Sequence, residues 1–325
     1  MSCRISLLAT GGTISTRRPA TGSTPRLGAR ELADLVDGQR IDVRCRDVSK
    51  QSSRAVTPDD MWGLANAVNE EIDLGADGIV ITHGTDTLEE TAYALALLVK
   101  ATVPVVLTGS MRSPDASGSD APANLAAALN AAARPELSVY GPVVVMHDEI
   151  HLARWVTKQH SSRVGAFGSP ATGPIGTLVE GTVQLMLGPP PDSDELDRTA
   201  SPSRRVELIW TVAGADGLVV DAVADKIDGL VVAGTGGGHV PPPLAESLIR
   251  LVQSGRPVIL ASRCGASATV LERTYGGAGS EMHLLEGGLV SAGSLSPVKA
   301  RLRLLFGLSA DLSAQELFPA VKVSS

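Results

Sequence analysis

Two clusters of hydroxyl-bearing residues, each after an apolar segment, contain the side-chain types that nucleophilic catalysis requires. In ATGGTIS, residues 9–15, Thr13 follows two glycines. In ITHGTDTLEET, residues 81–91, Thr85 and Asp86 precede a helical pattern. A threonine hydroxyl attacks a carbonyl when a base accepts its proton, and an aspartate can hold a substrate ammonium. The same residues could instead cap the ends of a strand and a helix, and their spacing alone leaves both interpretations open.

A possible base for a threonine nucleophile is Lys158, which lies in the polar stretch RWVTKQHSS, residues 154–162. Lysine is most often a solvated surface charge. Removal from water can nevertheless lower the pKa of a lysine enough for it to exchange protons near neutral pH. Lys158 is therefore a candidate for the proton path of the threonine chemistry.

Three other kinds of site are not favoured by the sequence. HDEIH, residues 147–151, displaces the glutamate of a zinc-binding HExxH by one position and follows a strand pattern. GTGGGH, residues 234–239, lacks the lysine of a P-loop and the spacing of GxGxxG, and the chain contains no GxSxG elbow. Cys3, Cys45 and Cys264 lie far apart, without a CxxC. We therefore expect no metal and no cofactor.

The composition is that of a folded globular chain without an electrostatic footprint for nucleic acid. Its 325 residues are 43% hydrophobic and 19% charged, and 35 acidic against 28 basic residues give a formal net charge of −7. The longest apolar runs have the length of strands and are too short to span a bilayer. The N-terminus lacks the pattern of a signal peptide. We expect no nucleic-acid partner, no membrane association and a cytoplasmic location.

Buried strands alternating with helices are predicted to carry these candidate residues. Helical patterns cover residues 58–74, 88–100, an alanine-rich stretch after Asp120, and 241–251. Between them, short apolar runs end in Gly, Ser or Thr clusters: ISLLATGGT, DGIVITHGTDT, VPVVLTGSM, GPVVVMHD, DGLVVAGTGGG and RPVILASRCG. Such alternation predicts parallel α/β layers, in which ligands bind beyond the carboxyl ends of the strands. The polar clusters are at those ends.

The chain is long enough for two domains. Residues 188–205 are rich in Pro, Ser and Asp and have no periodic apolar residues, which predicts a linker. The predicted domains are then an N-terminal catalytic α/β domain over residues 1–187 and a C-terminal α/β domain over residues 206–325.

ATGGTI near the start and VITHGTDTLEETAY some 70 residues later resemble the two signature segments of bacterial-type L-asparaginases, a family that includes glutaminase-asparaginases. The similarity continues in order through PVVLTGSMRSPDASGSDAPANL, VTKQHSS, GTGGGH and SLSPVKARLRLL. The resemblance implies a larger N-terminal flavodoxin-like parallel-sheet domain followed by a smaller C-terminal α/β domain. It also implies an amino-acid substrate.

The implied reaction is hydrolysis of the side-chain amide of L-asparagine to L-aspartate and ammonia through a threonine acyl-enzyme. By the resemblance, Thr13 is the nucleophile, while Thr85, Asp86 and Lys158 form the second catalytic group. Asp86 also receives the α-ammonium of the substrate. Our mechanistic hypothesis adds that N–H groups of the glycine turn stabilise the oxyanion. Two alternatives stay open: comparable activity on L-glutamine, and a non-catalytic amino-acid-binding protein on the same fold.

The resemblance also implies further substrate contacts and an oligomer. The contact positions are Gly12, Ser52, Ser53, Gly84 and Ser110. Of the two neighbouring serines, Ser53 fits the α-carboxylate contact better when TPDD is aligned. Family members share active sites between subunits, usually in a homotetramer, so a homotetramer or a homodimer is expected.

His239 and Glu281 are the candidates that a neighbouring subunit would contribute. The sequence departs from the family pattern in two places. His239 stands where many relatives have asparagine or serine. The segment RRPATGSTPRLG, residues 17–28, has no tyrosine, whereas family members commonly carry one in this loop.

Overall fold

The computed structural model describes residues 3–17, 24–25, 27–36 and 41–319. The chain divides into two compact units, Met1–Glu195 and Leu196–Ser325. The division lies within residues 188–205. The function of that segment as a linker, and the limits of the two domains, stay predictions.

The larger unit is built on a mostly parallel sheet. Its strands are β1 (Arg4–Gly11), β2 (Thr16–Arg17), β3 (Thr24–Pro25), β4 (Asp42–Gln51), β5 (Gly78–Thr82), β6 (Val105–Thr108), β7 (Val143–Met146), β8 (Glu149–Leu152), β9 (Thr157–Lys158), β10 (Phe167–Gly168), β11 (Gly176–Val179) and β12 (Thr182–Leu185). Within the described residues, eight of them form one sheet in the order β12-β11-β8-β7-β6-β5-β1-β4. The pairs β2 with β3 and β9 with β10 are separate two-stranded ribbons.

Strand order explains why the two candidate threonine segments meet. The section β4-β1-β5-β6-β7 is parallel throughout, and this is the 2-1-3-4-5 order of flavodoxin-like folds. In the register of β1 with β5, Ala9 pairs with Thr82. Both strands therefore end at the same carboxyl edge of the sheet. The Ala9–Thr82 pair lies four residues before Thr13 on one strand and three residues before Thr85 on the other.

The helices of the larger unit pack on the sheet, and one of them starts with a capping box. They are α1 (Ala29–Ala33), α2 (Pro58–Asp73), α3 (Leu88–Leu98) and α4 (Ala121–Ala132). Thr57 and Asp60 form a capping box at the start of α2, with Pro58 in the first turn. All five residues of β5 are buried, as expected for a strand covered on both faces.

The smaller unit is a second α/β layer structure. Its elements are β13 (Val206–Trp210), α5 (Leu218–Val223), β14 (Gly229–Gly234), α6 (Pro242–Gln253), β15 (Val258–Ser262), α7 (Glu281–Glu286), β16 (Val290–Ser291), α8 (Pro297–Ser309) and α9 (Ala314–Leu317). The four strands pair in parallel in the order β13-β14-β15-β16. Leu230 and Leu260 of the sheet pack with Leu244 and Leu248 of α6 in one core. The predicted fold class, a larger parallel-sheet unit followed by a smaller α/β unit, is confirmed.

HDEIH forms a hairpin rather than a helix. β7 ends at Met146, His147 and Asp148 take left-handed backbone angles (φ 53° and 62°), and β8 begins at Glu149. His147 and His151 are therefore not presented side by side on a helical face. Among the described residues, no group of His, Cys, Asp and Glu is placed to hold a metal ion. None of the helices in the described part of the chain is both long and apolar enough to cross a membrane.

Candidate active site

A glycine turn places Thr13 at the carboxyl edge of the sheet. Gly11 and Gly12 have φ angles of +110° and +83°, which residues with a side chain rarely adopt. Thr13 is the first residue of a short 3-10 turn directly after them. A Cβ atom on Gly12 would lie 2.2 Å from the Cα of Gly84. The turn that carries Thr13 therefore packs directly against the segment that carries Thr85.

The hydrogen bonds of this turn correct one detail of the sequence prediction. The Gly12 N–H already donates to the carbonyl of Gln51 (3.2 Å). The Thr16 hydroxyl donates to the Gly12 carbonyl (2.8 Å) and tightens the turn from the other side. The Gly12 N–H is thus committed to the fold, and the Thr13 N–H remains as the candidate oxyanion donor of the turn.

Lys158 joins Thr85 and Asp86 in one hydrogen-bonded cluster. Its Nζ donates to Thr85 Oγ1 (2.9 Å) and to Asp86 Oδ1 (2.8 Å). The side chain of Lys158 is 15% exposed and that of Asp86 is 60% exposed, whereas Thr85 is buried. Within the cluster, Thr85 is therefore shielded from solvent, and Asp86 is accessible to a ligand.

Ser53 is attached to the same cluster from the end of β4. It is buried, and its Oγ accepts the N–H of Asp86 (3.2 Å), while its carbonyl accepts the hydroxyl of Thr87 (2.8 Å). A Cβ on Gly84 would collide with the Ser53 side chain at 2.6 Å. Gly84 is therefore packed against both the glycine turn and Ser53. Ser52 is only half-buried.

Ser110 lies beside the cluster, but its hydroxyl has a local partner. The side chain is fully buried and donates to the Arg112 carbonyl (2.7 Å). The preceding Gly109 packs on Thr85, since a Cβ there would lie 3.3 Å from Thr85 Cγ2. Asn124 donates to the Gly109 carbonyl (3.0 Å) and fixes this loop. The hydroxyl of Ser110 therefore stabilises this turn.

His83 was not singled out from the sequence, although it stands in the same motif. It is buried, with Nδ1 2.8 Å from the Gly84 carbonyl and Nε2 3.1 Å from Thr91 Oγ1. A carbonyl only accepts, so Nδ1 carries the hydrogen and Nε2 accepts from Thr91. Burial lowers the pKa of His83, which favours this neutral form. His83 thereby holds the Gly84 carbonyl directly before Thr85.

His239 and Glu281 are neighbours in the smaller unit, where the carboxylate of Glu281 is buried. Glu281 Oε1 accepts the N–H groups of Thr274 (2.8 Å) and Tyr275 (2.7 Å). His239 Nδ1 lies 3.3 Å from Glu281 Oε2, an ion-pair distance without hydrogen-bond geometry, and its ring meets that of Tyr275 edge-on at 5.0 Å. Burial alone would raise the pKa of Glu281, but the two N–H groups and His239 together lower it.

These contacts hold the loop around Tyr275. Tyr275 is a contact that sequence reasoning missed, because only the fold brings it to His239. Both rings line an open depression of about 560 Å³ in the smaller unit. Residues 17–28 form the segment in which family members commonly carry a tyrosine and this chain has none. Residues 18–23 and 26 of that segment lie outside the described part of the chain.

The structure therefore brings the candidates together in two groups. In the larger unit, hydrogen bonds or direct packing connect these positions: Gly12, Ser53, Gly84, Thr85, Asp86 and Lys158. Thr13 adjoins this group in sequence. His239 and Glu281 form the second group, in the smaller unit. A hydroxyl, an amine and a carboxylate at the carboxyl edge of a parallel sheet form a constellation suited to acyl transfer.

Comparison with known proteins assigns the constellation to a class. Residues 4–190 match the family description "Asparaginase, N-terminal", and residues 205–318 match "Glutaminase/Asparaginase C-terminal domain". A probable L-asparaginase of Deinococcus radiodurans is 37% identical over 322 residues, which cover 97% of this chain and 95% of that protein. The chain is an amidohydrolase enzyme. It belongs to the asparaginase family.

Two further similarities bear on the fold and on the range of activities. The crystal structure of a probable cytoplasmic L-asparaginase from Campylobacter jejuni aligns with a TM-score of 0.83, at 30% identity and over 98% of each chain. One of the subunits of a glutamyl-tRNA(Gln) amidotransferase from Haloquadratum walsbyi is 34% identical over 321 residues, which cover 94% of this chain but 71% of that protein. Sequences similar to this chain thus occur in proteins with two different names.

Proposed function

We propose that the enzyme hydrolyses the side-chain amide of L-asparagine to L-aspartate and ammonia through a covalent threonine ester. The observation that carries the proposal is the cluster in which Lys158 contacts both Thr85 and Asp86, beside the turn of Thr13. The relatives named L-asparaginase support the choice of substrate, because the chain matches them over nearly their whole length.

The reaction has two chemical steps. In the first, Thr13 Oγ1 attacks the amide carbon, the C–N bond breaks, and the hydroxyl proton passes through Thr85 and Lys158 to the leaving nitrogen, which departs as ammonia. In the second, water attacks the ester carbon, its hydroxyl stays on the new carboxyl group, and its other proton returns to the threonine oxygen. The Thr13 N–H stabilises the oxyanion of both steps.

Asp86 and Ser53 orient the substrate. Asp86 is 60% exposed, so its carboxylate can accept a charge-assisted hydrogen bond from the α-ammonium. Ser53 Oγ accepts the Asp86 N–H, which leaves the hydroxyl proton free to donate to the α-carboxylate. Holding the amide against Thr13 in this way supplies a large part of the barrier reduction.

The choice between asparagine and glutamine rests on one methylene group, which is worth about 1 to 3 kcal/mol of discrimination. A glutaminase-asparaginase with comparable activity on both amides is therefore the alternative. An ammonia-release assay with asparagine, glutamine and a buffer blank separates the possibilities. We expect a higher kcat/KM for asparagine. Equal values would favour the glutaminase-asparaginase, and no release from either amide would make the chain a binding protein.

The covalent step has its own test. Thr13→Ala and Thr85→Val should each lower kcat by more than about tenfold, since each removes one hydroxyl that the reaction uses. Asparagine should still bind Thr13→Ala, which calorimetric titration measures. Acid-quenched wild-type enzyme should carry an aspartyl group on the peptide containing Thr13. A variant that kept more than about a tenth of the wild-type kcat would contradict the role of that hydroxyl.

We further propose a cytoplasmic homotetramer or homodimer in which a neighbouring subunit supplies His239 and Glu281. The support is the resemblance to a family with shared sites and the structural neighbour named as a probable cytoplasmic L-asparaginase. Mixing inactive Thr13→Ala subunits with subunits of an inactive smaller-unit variant such as Glu281→Ala should restore part of the activity, because some interfaces then contain one intact site. Absence of activity in hetero-oligomers shown to have formed would indicate that each site belongs to one chain.

A further inference from the structure

The main chain of Lys158 belongs to a very short element of secondary structure. It lies on β9, a strand of two residues that pairs only with the two residues of β10 in the described part of the chain. In this pairing Lys158 is opposite Phe167, and the next residue, Gln159, donates its N–H to the Ala166 carbonyl (2.7 Å). A side chain with four rotatable bonds reaches from this ribbon to Thr85. Its reach depends on where the backbone of residue 158 is fixed.

Glu89 fixes that backbone from a different element. Its Oε2 accepts the N–H of Lys158 (3.2 Å) from the first turn of α3. The segment just before α3 supplies Thr85 and Asp86, the two acceptors of the Lys158 ammonium. One continuous stretch, residues 85–89, therefore binds both the main-chain N–H and the side-chain ammonium of Lys158. The apolar face of α3 is fully buried, for example at Leu88, so this stretch is a rigid support.

We propose that Glu89 is a positioning residue for the reaction: it anchors the main chain of Lys158 so that Nζ stays on Thr85. The inference rests on the proposed function of Lys158. A lysine carries about 2 kcal/mol of rotamer entropy, and an anchored Cα leaves fewer side-chain conformations that miss the threonine. A misplacement of about 1 Å can lower a rate by about two orders of magnitude.

The other explanation of Glu89 is helix stability. Acidic groups in the first turn favour a helix through its dipole, and Glu89 and Glu90 both lie in the first turn of α3. A dipole effect needs the charge of the side chain. The contact with Lys158 needs only an acceptor oxygen at the right place, so the two explanations make different predictions.

Three variants separate these explanations. Glu89→Ala removes the acceptor, Glu89→Gln keeps an amide oxygen without the charge, and Glu90→Ala removes an acidic group from the same turn. With asparagine as substrate, we expect Glu89→Ala to lower kcat about tenfold, equivalent to about 1.4 kcal/mol, with KM changed less than about twofold. Glu89→Gln should keep at least about half of the wild-type kcat, and Glu90→Ala should stay within about twofold of it.

Amide hydrogen exchange resolved to Lys158 tests the contact without reference to activity. Its N–H should exchange at least about tenfold faster in Glu89→Ala than in wild type or Glu89→Gln, while the amides of α3 keep their protection. Unchanged exchange at Lys158 would overturn the proposal. So would an unchanged kcat in Glu89→Ala, an equal loss in Glu89→Gln, or an equal loss in Glu90→Ala.

If Glu89→Ala does not fold, Glu89→Met, which is closer in size, replaces it, and unfolding of both would assign Glu89 to the fold and overturn the proposal. Failure of the proposed function has a different signature. Lys158→Met with a kcat near wild type would remove Lys158 from the reaction, whatever exchange shows for its amide.

Discussion

The two groups of candidate residues use their carboxylates in opposite ways. Asp86 is 60% exposed, and its partner is the side-chain ammonium of Lys158. Glu281 is fully buried and binds the backbone N–H groups of Thr274 and Tyr275. An exposed carboxylate can exchange partners at low cost, whereas a buried carboxylate depends on the hydrogen bonds that replace its water. The first group is thus built to handle a ligand and a proton, and the second to hold a loop.

The largest effect that this comparison predicts is on the proton path. Lys158→Met should lower kcat about a thousandfold, equivalent to about 4 kcal/mol of transition-state stabilisation. Lys158→Arg should do no better, because arginine keeps the charge but is always protonated and cannot give up and regain a proton as lysine can. Steady-state kinetics of both variants measure this. Lys158→Arg with more than about a third of the wild-type kcat would reduce the role of the lysine to electrostatics.

The stability of the two carboxylate sites should differ in the reverse sense. Glu281→Ala should lower the unfolding free energy by about 3 kcal/mol, because it leaves two backbone N–H groups without their buried acceptor. Asp86→Ala should cost less than about 1 kcal/mol, since the Asp86 carboxylate is 60% exposed and its charge is largely solvated. Calorimetric unfolding of both variants tests the difference. Equal losses would contradict the distinction between a ligand-handling and a loop-holding carboxylate.

For the first group, the strands and helices that carry the residues were easier to predict from the sequence than the contacts between those residues. The apolar runs that became β1, β5, β6 and β7 and the patterns of α2 and α3 were all recognised, since buried strands and amphipathic helices leave local signals. β4 was missed because it is an edge strand in which half-buried and exposed positions alternate, with charged residues such as Arg44 and Arg46. Its end nevertheless carries Ser53 to the site.

Contacts between distant segments could not be predicted from local patterns. Lys158 reaches Thr85 across 73 positions of the chain, and only the family resemblance connected the two. Glu89 looked like an ordinary acidic residue of a first helical turn, and nothing in its neighbourhood pointed to the amide of Lys158. Tyr275 lies outside the segment in which family members commonly carry a tyrosine, and no local pattern connected it to His239.

A buried histidine, His151, should make the larger unit sensitive to acid. His151 on β8 is fully buried, with Nδ1 3.0 Å from the hydroxyl of Ser169, which directly follows β10. Burial lowers the pKa of His151 to about 4. The unfolded histidine has a pKa of about 6.5, so protons favour the unfolded chain between these values, and stability falls as the pH falls through that range.

The expected loss from His151 is about 2 to 3 kcal/mol between about pH 6.5 and pH 4, and none of it is present above about pH 7. The carboxylate of Glu149, 3.3 Å from Nε2, faces the ring and offsets part of this loss on protonation. The measurement is the unfolding free energy of wild type and His151→Gln at pH 7, 5.5 and 4. The difference between the two proteins should change with pH by this amount. A constant difference would show that His151 does not titrate on unfolding in this range.

The smallest effect should come from His239. Its ring is 29% exposed, its contact with Glu281 Oε2 is an ion-pair distance of 3.3 Å, and its edge-on contact with Tyr275 is one aromatic pair. Such contacts contribute about 1 kcal/mol or less each, and His239→Asn keeps an N–H donor near the position of Nδ1. The variant should therefore lose less than about 1 kcal/mol of unfolding free energy and change KM for asparagine less than about threefold. The matched His239→Leu, which has no donor, should lose more than His239→Asn but still less than Glu281→Ala. If His239→Asn cost as much as Glu281→Ala, the histidine rather than the backbone N–H groups would be the partner that stabilises the buried carboxylate, and the second group would resemble the first in depending on a side-chain pair.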